Sequence, residues 1–207
     1  NLLPEQLRTL STASCGQVEN LNPVFGFFGN CTEPKGLDLI LEALMEVVRL
    51  QPEAKLVVHG PVHAVLEQGM TRNDSYALKL SRLLVCLGNH VILSGPYEQQ
   101  ELPMLMKDVG WVVMASRWLE NAPVVIQEAL ACRRPLLVPA FGGMAEHVRN
   151  GFDGLHFAPE SVDSLRDVML QVCRNPEIWQ ELRSTLAEPF SAEDALRQHL
   201  ELFGFRT

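Results

Sequence analysis

The sequence is short of cysteine, of basic residues and of long apolar runs, and each shortage argues against a class of protein. The five cysteines are odd in number and show no C-x-x-C spacing, so neither a disulfide framework nor a zinc site is indicated. Lys and Arg total 17 against 25 Asp and Glu, and the net charge of −8 argues against binding to nucleic acid. We expect a cytoplasmic chain with reduced thiols.

Signals for membrane spans and metal sites are missing as well. The longest apolar stretches fall far short of the roughly 18 residues that a membrane span requires, and no signal peptide is recognisable. The sequence has no Asp-x-Asp pair, and its histidines form no cluster with carboxylates. His59 and His63 are four residues apart, but Gly60 and Pro61 between them argue against a shared helical face. We therefore expect no transmembrane segment, no metal and no cofactor.

The length of 207 residues fits one globular domain with short appendages. Residues 1–22 predict an entry linker, residues 23–190 the domain, and residues 191–207 a C-terminal helix. The first residue is Asn1 rather than Met, which suggests a processed chain or a piece of a longer one.

Short apolar runs alternate with helical periodicity along the domain. Val24–Phe28 predicts a strand buried on both faces, and the spacing over 37–48 predicts a helix with Asp38 on its polar side. The alternation predicts an α/β fold, a doubly wound Rossmann-like parallel sheet with extra C-terminal helices. The further predicted strands are 55–59, 91–93, 111–114, 136–138 and 155–157. The further predicted helices are 76–87, 101–107, 123–132, 144–149, 162–174, 177–186 and 192–203.

A ligand of an open parallel sheet lies beyond the carboxyl ends of the strands. The loop that follows the first predicted strand carries Lys35 and Gly36 at a helix start, where a lysine and free backbone N–H groups form an anion site. A solvated Lys35 in the first turn is an equal alternative. Neither G-x-G-x-x-G nor G-x-x-x-x-G-K-[ST] occurs, so the dinucleotide and P-loop fingerprints are both missing.

Two glutamates flank the start of the helix predicted at 123–132. Glu120 lies in the loop before it, and Glu128 lies on an apolar helical face, where it either caps loop N–H groups or faces a ligand pocket. The helical rise puts the two carboxylates about 8–12 Å apart, and the low end overlaps the pair of an inverting glycosidase. The apolar face and the Lys35 loop favour a nucleotide ligand instead.

Gly142 and Gly143 follow another predicted strand. Two adjacent glycines form either a backbone nest for an anion or a tight turn from strand to helix, and the turn is favoured. A Gly-Gly pair alone carries little information about function.

Several motifs of the chain occur in the order seen in retaining glycosyltransferases of group one, also called family four, and the chain resembles that family from about Val24 to about Phe203. The most specific motif is the pair Glu120 and Glu128, with Asn-x-Pro between them and Ile-Gln-Glu-Ala at the second. The matching segments are 28–29, 34–37, 95–97, 116–129, 142–146 and 150–155.

The resemblance implies a GT-B fold, in which two Rossmann-like domains face each other across a cleft. This chain corresponds to the C-terminal domain, which binds the nucleotide-sugar donor. The N-terminal domain, which supplies the acceptor site, is absent, and residues 191–207 would cross back to it. The isolated domain is therefore expected to bind nucleotide weakly and to transfer nothing, and the full-length enzyme to make at most peripheral membrane contact.

The resemblance also implies residue roles. Glu120 would bind the hydroxyls of the donor sugar, Glu128 the ribose hydroxyls, and Lys35 the diphosphate, so that Lys35 and Glu120 are the candidate catalytic residues. Lys35 and a helix N-terminus would stabilise the leaving diphosphate without a metal ion. The remaining predicted contacts are backbone groups at Asn121, Ala122, Pro123 and Val124, and a loop near the base that includes Gly95 and Tyr97.

One position departs from the family pattern. Asn30 stands where the family often carries an arginine that contacts the diphosphate, and an amide brings no charge to that contact. Two alternatives to the donor-binding domain stay open. One is a non-catalytic module that serves as a partner-binding or regulatory subunit, which Asn30 makes possible. The other is another GT-B enzyme, such as a sugar phosphorylase or epimerase.

Overall fold

In the computed structural model, residues 23–186 are described. The predicted domain 23–190 is thus described up to residue 186. The entry linker predicted at 1–22 and the helix predicted at 192–203 lie outside the described residues.

The centre of the fold is one sheet of six parallel strands in the order β3-β2-β1-β4-β5-β6. The strands are β1 (Val24–Phe28), β2 (Lys55–His59), β3 (Val91–Gly95), β4 (Trp111–Val113), β5 (Leu136–Pro139) and β6 (Gly154–Phe157). This is the order of a doubly wound Rossmann sheet, and it confirms the predicted fold class.

Helices connect the strands and cover both faces of the sheet. They are α1 (Leu37–Leu50), α2 (Val62–Arg72), α3 (Ser75–Leu87), α4 (Leu102–Leu105), α5 (Val124–Ala131), α6 (Gly142–His147), α7 (Val162–Arg174) and α8 (Pro176–Thr185). Short 3-10 turns lie at Glu33–Lys35, Gly88–His90, Gln99–Glu101 and Met106–Asp108.

Most of these elements match the predicted ones, and the differences have local causes. Within residues 23–186, α2 is the one α-helix that periodicity does not predict, because only Val62 and Gly69 of it are buried. The helix predicted at 101–107 is the four-residue α4 between two 3-10 turns. Pro123 is the N-cap residue of α5 rather than its first residue.

The apolar core has two parts, one on each face of the sheet. Successive residues of a strand point to opposite faces, so Phe25 and Phe27 pack with α1, α3 and α7, while Phe28 packs with α4 and α5. Burial on both faces is typical of a parallel sheet, and it confirms the prediction for β1.

The sheet order reverses at β1. This strand pairs with β2 on one side and with β4 on the other, so the loops that follow β1 and β4 lie next to each other. In doubly wound sheets the ligand crevice opens at such a reversal, beyond the carboxyl ends of the strands. Lys35 lies in the first of these loops, and Glu120 in the second.

Candidate functional site

The loop after β1 is seated directly on the segment that follows β4. Gly36 has φ +70°, and a Cβ atom there would lie 2.0 Å from the carbonyl oxygen of Ala115. A residue with a side chain would therefore push the two segments apart, which explains why glycine stands there. The contact fixes Lys35, one residue earlier, against the loop of Glu120.

Lys35 and Glu120 form an ion pair. Lys35 Nζ lies 2.7 Å from Glu120 Oε1, and Ser116 Oγ donates a hydrogen bond of 2.5 Å to the same oxygen. The Glu120 side chain is 13% exposed and that of Lys35 38% exposed. Lys35 is therefore not a freely solvated residue, and the two candidate catalytic side chains are brought together as one unit.

The backbone of the Glu120 loop packs against α6. The Gly143 N–H donates to the Glu120 carbonyl oxygen at 2.8 Å, and a Cβ at position 143 would lie 2.1 Å from the Asn121 carbonyl oxygen. His147 Nε2 lies 3.1 Å from the same Asn121 oxygen. Since its N–H is used in this way, Gly143 provides a close backbone contact rather than an anion nest.

Glu128 lies in α5 and is 5% exposed. Within residues 23–186 its carboxylate accepts no hydrogen bond, so it does not cap loop N–H groups. Burial raises the pKa of Glu128 to about 7. It borders a cavity of about 490 Å³, whose described lining is Gly29, Asn30, Gly60, Pro61, Pro96, Tyr97, Gln99, Leu102, Val124 and Glu128. We call this the Tyr97 cavity.

Two further cavities continue along the carboxyl ends of the strands. The central cavity of about 320 Å³ shares Gly29, Asn30 and Val124 with the Tyr97 cavity, and it also contains Lys35 and Glu120. The outer cavity, of about 340 Å³, is lined by Pro34, Lys35, Trp118, Glu120, Asn121 and Ala122. Together the three cavities form one cleft, which we call the strand-end cleft.

The strand-end cleft brings together most of the residues predicted from the sequence. Those that line it are Asn30, Lys35, Tyr97, Glu120, Asn121, Ala122, Pro123, Val124 and Glu128. Gly95 is absent from the described lining, and its carbonyl oxygen accepts the Gly60 N–H at 2.8 Å. A Cβ on Gly60 would lie 2.1 Å from the Gly29 carbonyl oxygen, so this part of the cleft floor is main chain.

An aromatic cluster of Phe28, His59 and Tyr97 lies next to the Tyr97 cavity. The rings of His59 and Phe28 stack with centroids 4.5 Å apart, and Tyr97 meets both rings edge-on. His59 is buried, and neither ring nitrogen has a hydrogen-bond partner within residues 23–186. Burial lowers the pKa of His59 against the opposing effect of the Asp108 charge, and burial followed by the Glu128 charge raises the pKa of Tyr97 to about 12.

Asp38 is not on a solvent-facing side of its helix, and the prediction for it is wrong. It is 2% exposed and accepts two hydrogen bonds from Arg117, of 2.8 and 2.9 Å. Burial alone would raise the pKa of Asp38, but hydrogen bonds from Arg117 and Lys79 outweigh burial and lower it. The signal for this pair was Arg117 itself, a lone basic residue in the loop of Glu120.

Two kinds of feature are absent from residues 23–186. No group of three or more His, Cys, Asp or Glu side chains converges there in a way that would hold a metal ion. No helix of that part of the chain combines the length and the apolar character needed to cross a membrane.

The fold and the site define the class of this domain. It is a Rossmann-like domain with a cleft at the point where the strand order reverses. The sequence profile of the family described as "Glycosyl transferases group 1" matches residues 17–188, and the chain belongs to this family. An uncharacterised glycosyltransferase of Methanocaldococcus jannaschii is 26% identical over 79% of this chain and 41% of its own length. The chain thus spans less than half of that relative.

Solved structures share the fold. The Anabaena protein HepE in complex with UDP superimposes with a TM-score of 0.72 at 21% identity, over 98% of this chain and 53% of that one. The C-terminal domain of the group 1 glycosyl transferase LpcC from Francisella tularensis gives 0.67 at 16% identity, over 91% and 96%. The match covers almost the whole of the LpcC C-terminal domain. This confirms the likeness of the chain to a GT-B C-terminal domain.

Proposed function

We propose that the chain is the donor-binding half of a retaining, metal-independent glycosyltransferase. In this proposal it binds a nucleoside diphosphate sugar, and a second, N-terminal domain binds the acceptor, which is a saccharide, a lipid or another hydroxyl-bearing molecule. The proposed setting is glycan biosynthesis in the cytoplasm, in keeping with the free thiols of Cys31, Cys86 and Cys173.

The observation that carries the proposal is the composition of the strand-end cleft. Its described lining combines one cation, Lys35, with two carboxylates, Glu120 and Glu128, near α5. A helix N-terminus and a lysine attract a diphosphate, whereas carboxylates accept hydrogen bonds from sugar hydroxyls. A related fold binds UDP in the Anabaena structure.

Each residue then has a role in the transfer. Lys35 and the N-terminal N–H groups of α5 stabilise the negative charge that develops on the leaving diphosphate. Glu120 holds hydroxyls of the donor sugar and so orients its anomeric carbon toward the acceptor. Glu128, which has no hydrogen-bond partner in the described chain, accepts hydrogen bonds from the ribose hydroxyls, while Tyr97 lies near the base.

Titration of the chain with UDP-, GDP- and ADP-sugars tests the proposal. We expect one of them to bind weakly in calorimetry and to shift the NMR signals of Lys35 and of residues 120–128. The absence of any such perturbation with all three donors would refute the proposal.

One observation favours the non-catalytic alternative. Asn30 borders both the central and the Tyr97 cavities, so an uncharged amide stands where a second cation would serve the diphosphate. Donor turnover by the full-length parent protein would exclude a purely partner-binding module. Turnover that depends on inorganic phosphate instead of an acceptor would identify a phosphorylase.

A further inference from the structure

Besides the Lys35–Glu120 ion pair, the side chain of Arg117 joins the loop of Lys35 to the loop of Glu120. Its guanidinium donates two parallel hydrogen bonds to Asp38, from Nη1 to Oδ1 at 2.8 Å and from Nη2 to Oδ2 at 2.9 Å. Nη1 also donates to the Glu33 carbonyl oxygen at 2.7 Å. Since Glu33 precedes Lys35 and Asp38 follows it, the guanidinium holds the chain on both sides of the lysine.

The main chain adds a second connection at the same place. The Arg117 N–H donates to the Pro34 carbonyl oxygen at 2.8 Å, one residue before Lys35. Gly36, one residue after it, leaves no space for a side chain against Ala115. The backbone contacts set the distance between the two loops. The paired hydrogen bonds of Arg117 set their relative rotation, because a guanidinium group and a carboxylate that form two parallel hydrogen bonds lie in one plane.

Neither partner of this ion pair belongs to the described lining of the strand-end cleft. Asp38 is 2% exposed, and the Arg117 side chain is 24% exposed. Lys79 Nζ lies 2.6 Å from Asp38 Oδ2, so the carboxylate is shared between two cations. Arg117 and Asp38 therefore influence a ligand only through the residues that they hold in place.

We propose that Arg117 and Asp38 are positioning residues that fix the Lys35 loop beside the Glu120 loop, so that the ammonium group of Lys35 can reach the diphosphate of a bound nucleoside diphosphate sugar. This inference rests on the proposed function for the roles of Lys35 and Glu120. It adds that the affinity for the diphosphate depends on Arg117 and Asp38, two residues that lie outside the cleft.

The first test compares UDP with uridine, which lacks the diphosphate, by calorimetry on the 207-residue chain. Arg117→Ala is expected to weaken UDP binding about tenfold, through the misplaced Lys35, and to leave uridine binding unchanged. Arg117→Lys keeps the charge but not the paired bonds, and it is expected to behave like Arg117→Ala. Arg166→Ala removes an exposed ion pair with Asp163 on α7 and serves as the matched control.

A double-mutant cycle separates positioning from general damage to the fold. In a Lys35→Ala background, Arg117→Ala is expected to change UDP affinity by less than about twofold, because the residue it positions is already gone. An equal loss for UDP and uridine, or an undiminished loss in the Lys35→Ala background, would overturn the inference. Asp38→Asn preserves the shape of the side chain, and it replaces Arg117→Ala in the cycle if that variant does not fold.

A second test needs no nucleotide and is independent of the proposed function. Side-chain NMR of Lys35 in the free protein is expected to shift on Glu120→Gln, since the two groups are in contact. The same substitution in an Arg117→Ala or Asp38→Asn background is expected to leave the Lys35 signal in place. A response of the same size in both backgrounds would overturn the inference, whereas failure of every donor to bind would refute the proposed function alone.

Discussion

Lys35 Nζ lies 2.7 Å from Glu120 Oε1 at the mouth of the strand-end cleft, so the group proposed to bind the diphosphate is neutralised by the group proposed to bind the sugar. In the proposed function, a bare nucleoside diphosphate would therefore compete with Glu120 for Lys35. A nucleotide sugar would bring hydroxyls that give the glutamate new partners while the lysine turns to the phosphates.

This competition predicts opposite effects of one substitution on two ligands. Glu120→Gln is expected to strengthen binding of UDP by a few-fold, about 1 kcal/mol, because a nearby negative charge is removed. The same variant is expected to lose the additional affinity for UDP-glucose over UDP. Calorimetric titration with both ligands measures the difference, and Glu46→Gln, which affects an exposed ion pair on α1, provides the control. Weaker binding of both ligands would contradict the competition.

A second prediction concerns Glu128 and pH. Its pKa of about 7 means that the folded state keeps a proton that the unfolded chain releases near pH 4.5. The contribution of Glu128 to stability therefore falls as the pH rises from about 4.5 to 7, by about 3 kcal/mol in total. Glu128→Gln is expected to remove this part of the slope and to weaken UDP binding at pH 8. Urea unfolding at pH 5 and pH 8 measures the first effect.

Glu128→Ala distinguishes a ligand-binding role from a structural one. The carboxylate makes no hydrogen bond within residues 23–186, so we expect the variant to keep its fold and to lose nucleotide affinity. Circular dichroism and calorimetry report the two properties separately. An unfolded variant would show that Glu128 is needed for the core instead.

A third prediction uses the buried imidazole of His59. Its pKa is lowered by burial, so protonation is easier in the unfolded chain, and the stability of the fold drops as the pH falls below 6.5. His59→Phe keeps a ring against Phe28 and removes the two unpartnered nitrogens. The variant is expected to lose less stability than the wild type between pH 7.5 and pH 5 in urea unfolding. His63→Phe, at an exposed position, is expected to retain the wild-type acid sensitivity.

A fourth prediction concerns the backbone contact between α6 and the Glu120 loop. In Gly143→Ala the new methyl group would lie 2.1 Å from the Asn121 carbonyl oxygen, so the loop has to move. We expect a loss of about 1–3 kcal/mol in unfolding free energy and weaker binding of UDP-glucose. Glu146→Ala, on an exposed position of the same helix, is the control for both measurements. Wild-type affinity in Gly143→Ala would show that the position of this loop does not matter for binding.

Much of the architecture follows from periodicity in the sequence. β1 is predictable because Val24–Phe28 is apolar without alternation, and α1 because its apolar residues recur at helical spacing. By contrast, α2 fully buries only Val62 and Gly69, while Val65 and Leu66 of its apolar face pack only partly against the core, so its apolar signal is weak. Helices that cover little core surface leave a weak signal in the sequence.

The site was predictable where a residue type is itself informative, and not where its partner lies far away in the chain. Glu128 stood out as a charge on an apolar face, and burial confirms that it is not a solvated residue. Asp38 resembled an ordinary polar residue of an amphipathic helix, because its partner Arg117 is 79 residues away. Gly95 belongs to the loop that the sequence predicts near the base, but its hydrogen bond with Gly60 is a property of the folded chain alone.

The contact of Gly60 with the Gly29 carbonyl oxygen has a consequence for how this cleft can change. The floor between the ends of β1 and β2 is backbone, so point substitutions cannot give it a new side chain without separating the strands. If the cleft binds a nucleotide-sugar donor as proposed, selectivity is more readily altered at its described walls, where side chains such as Asn30 and Tyr97 stand. Libraries that aim at a new donor preference are best confined to these positions.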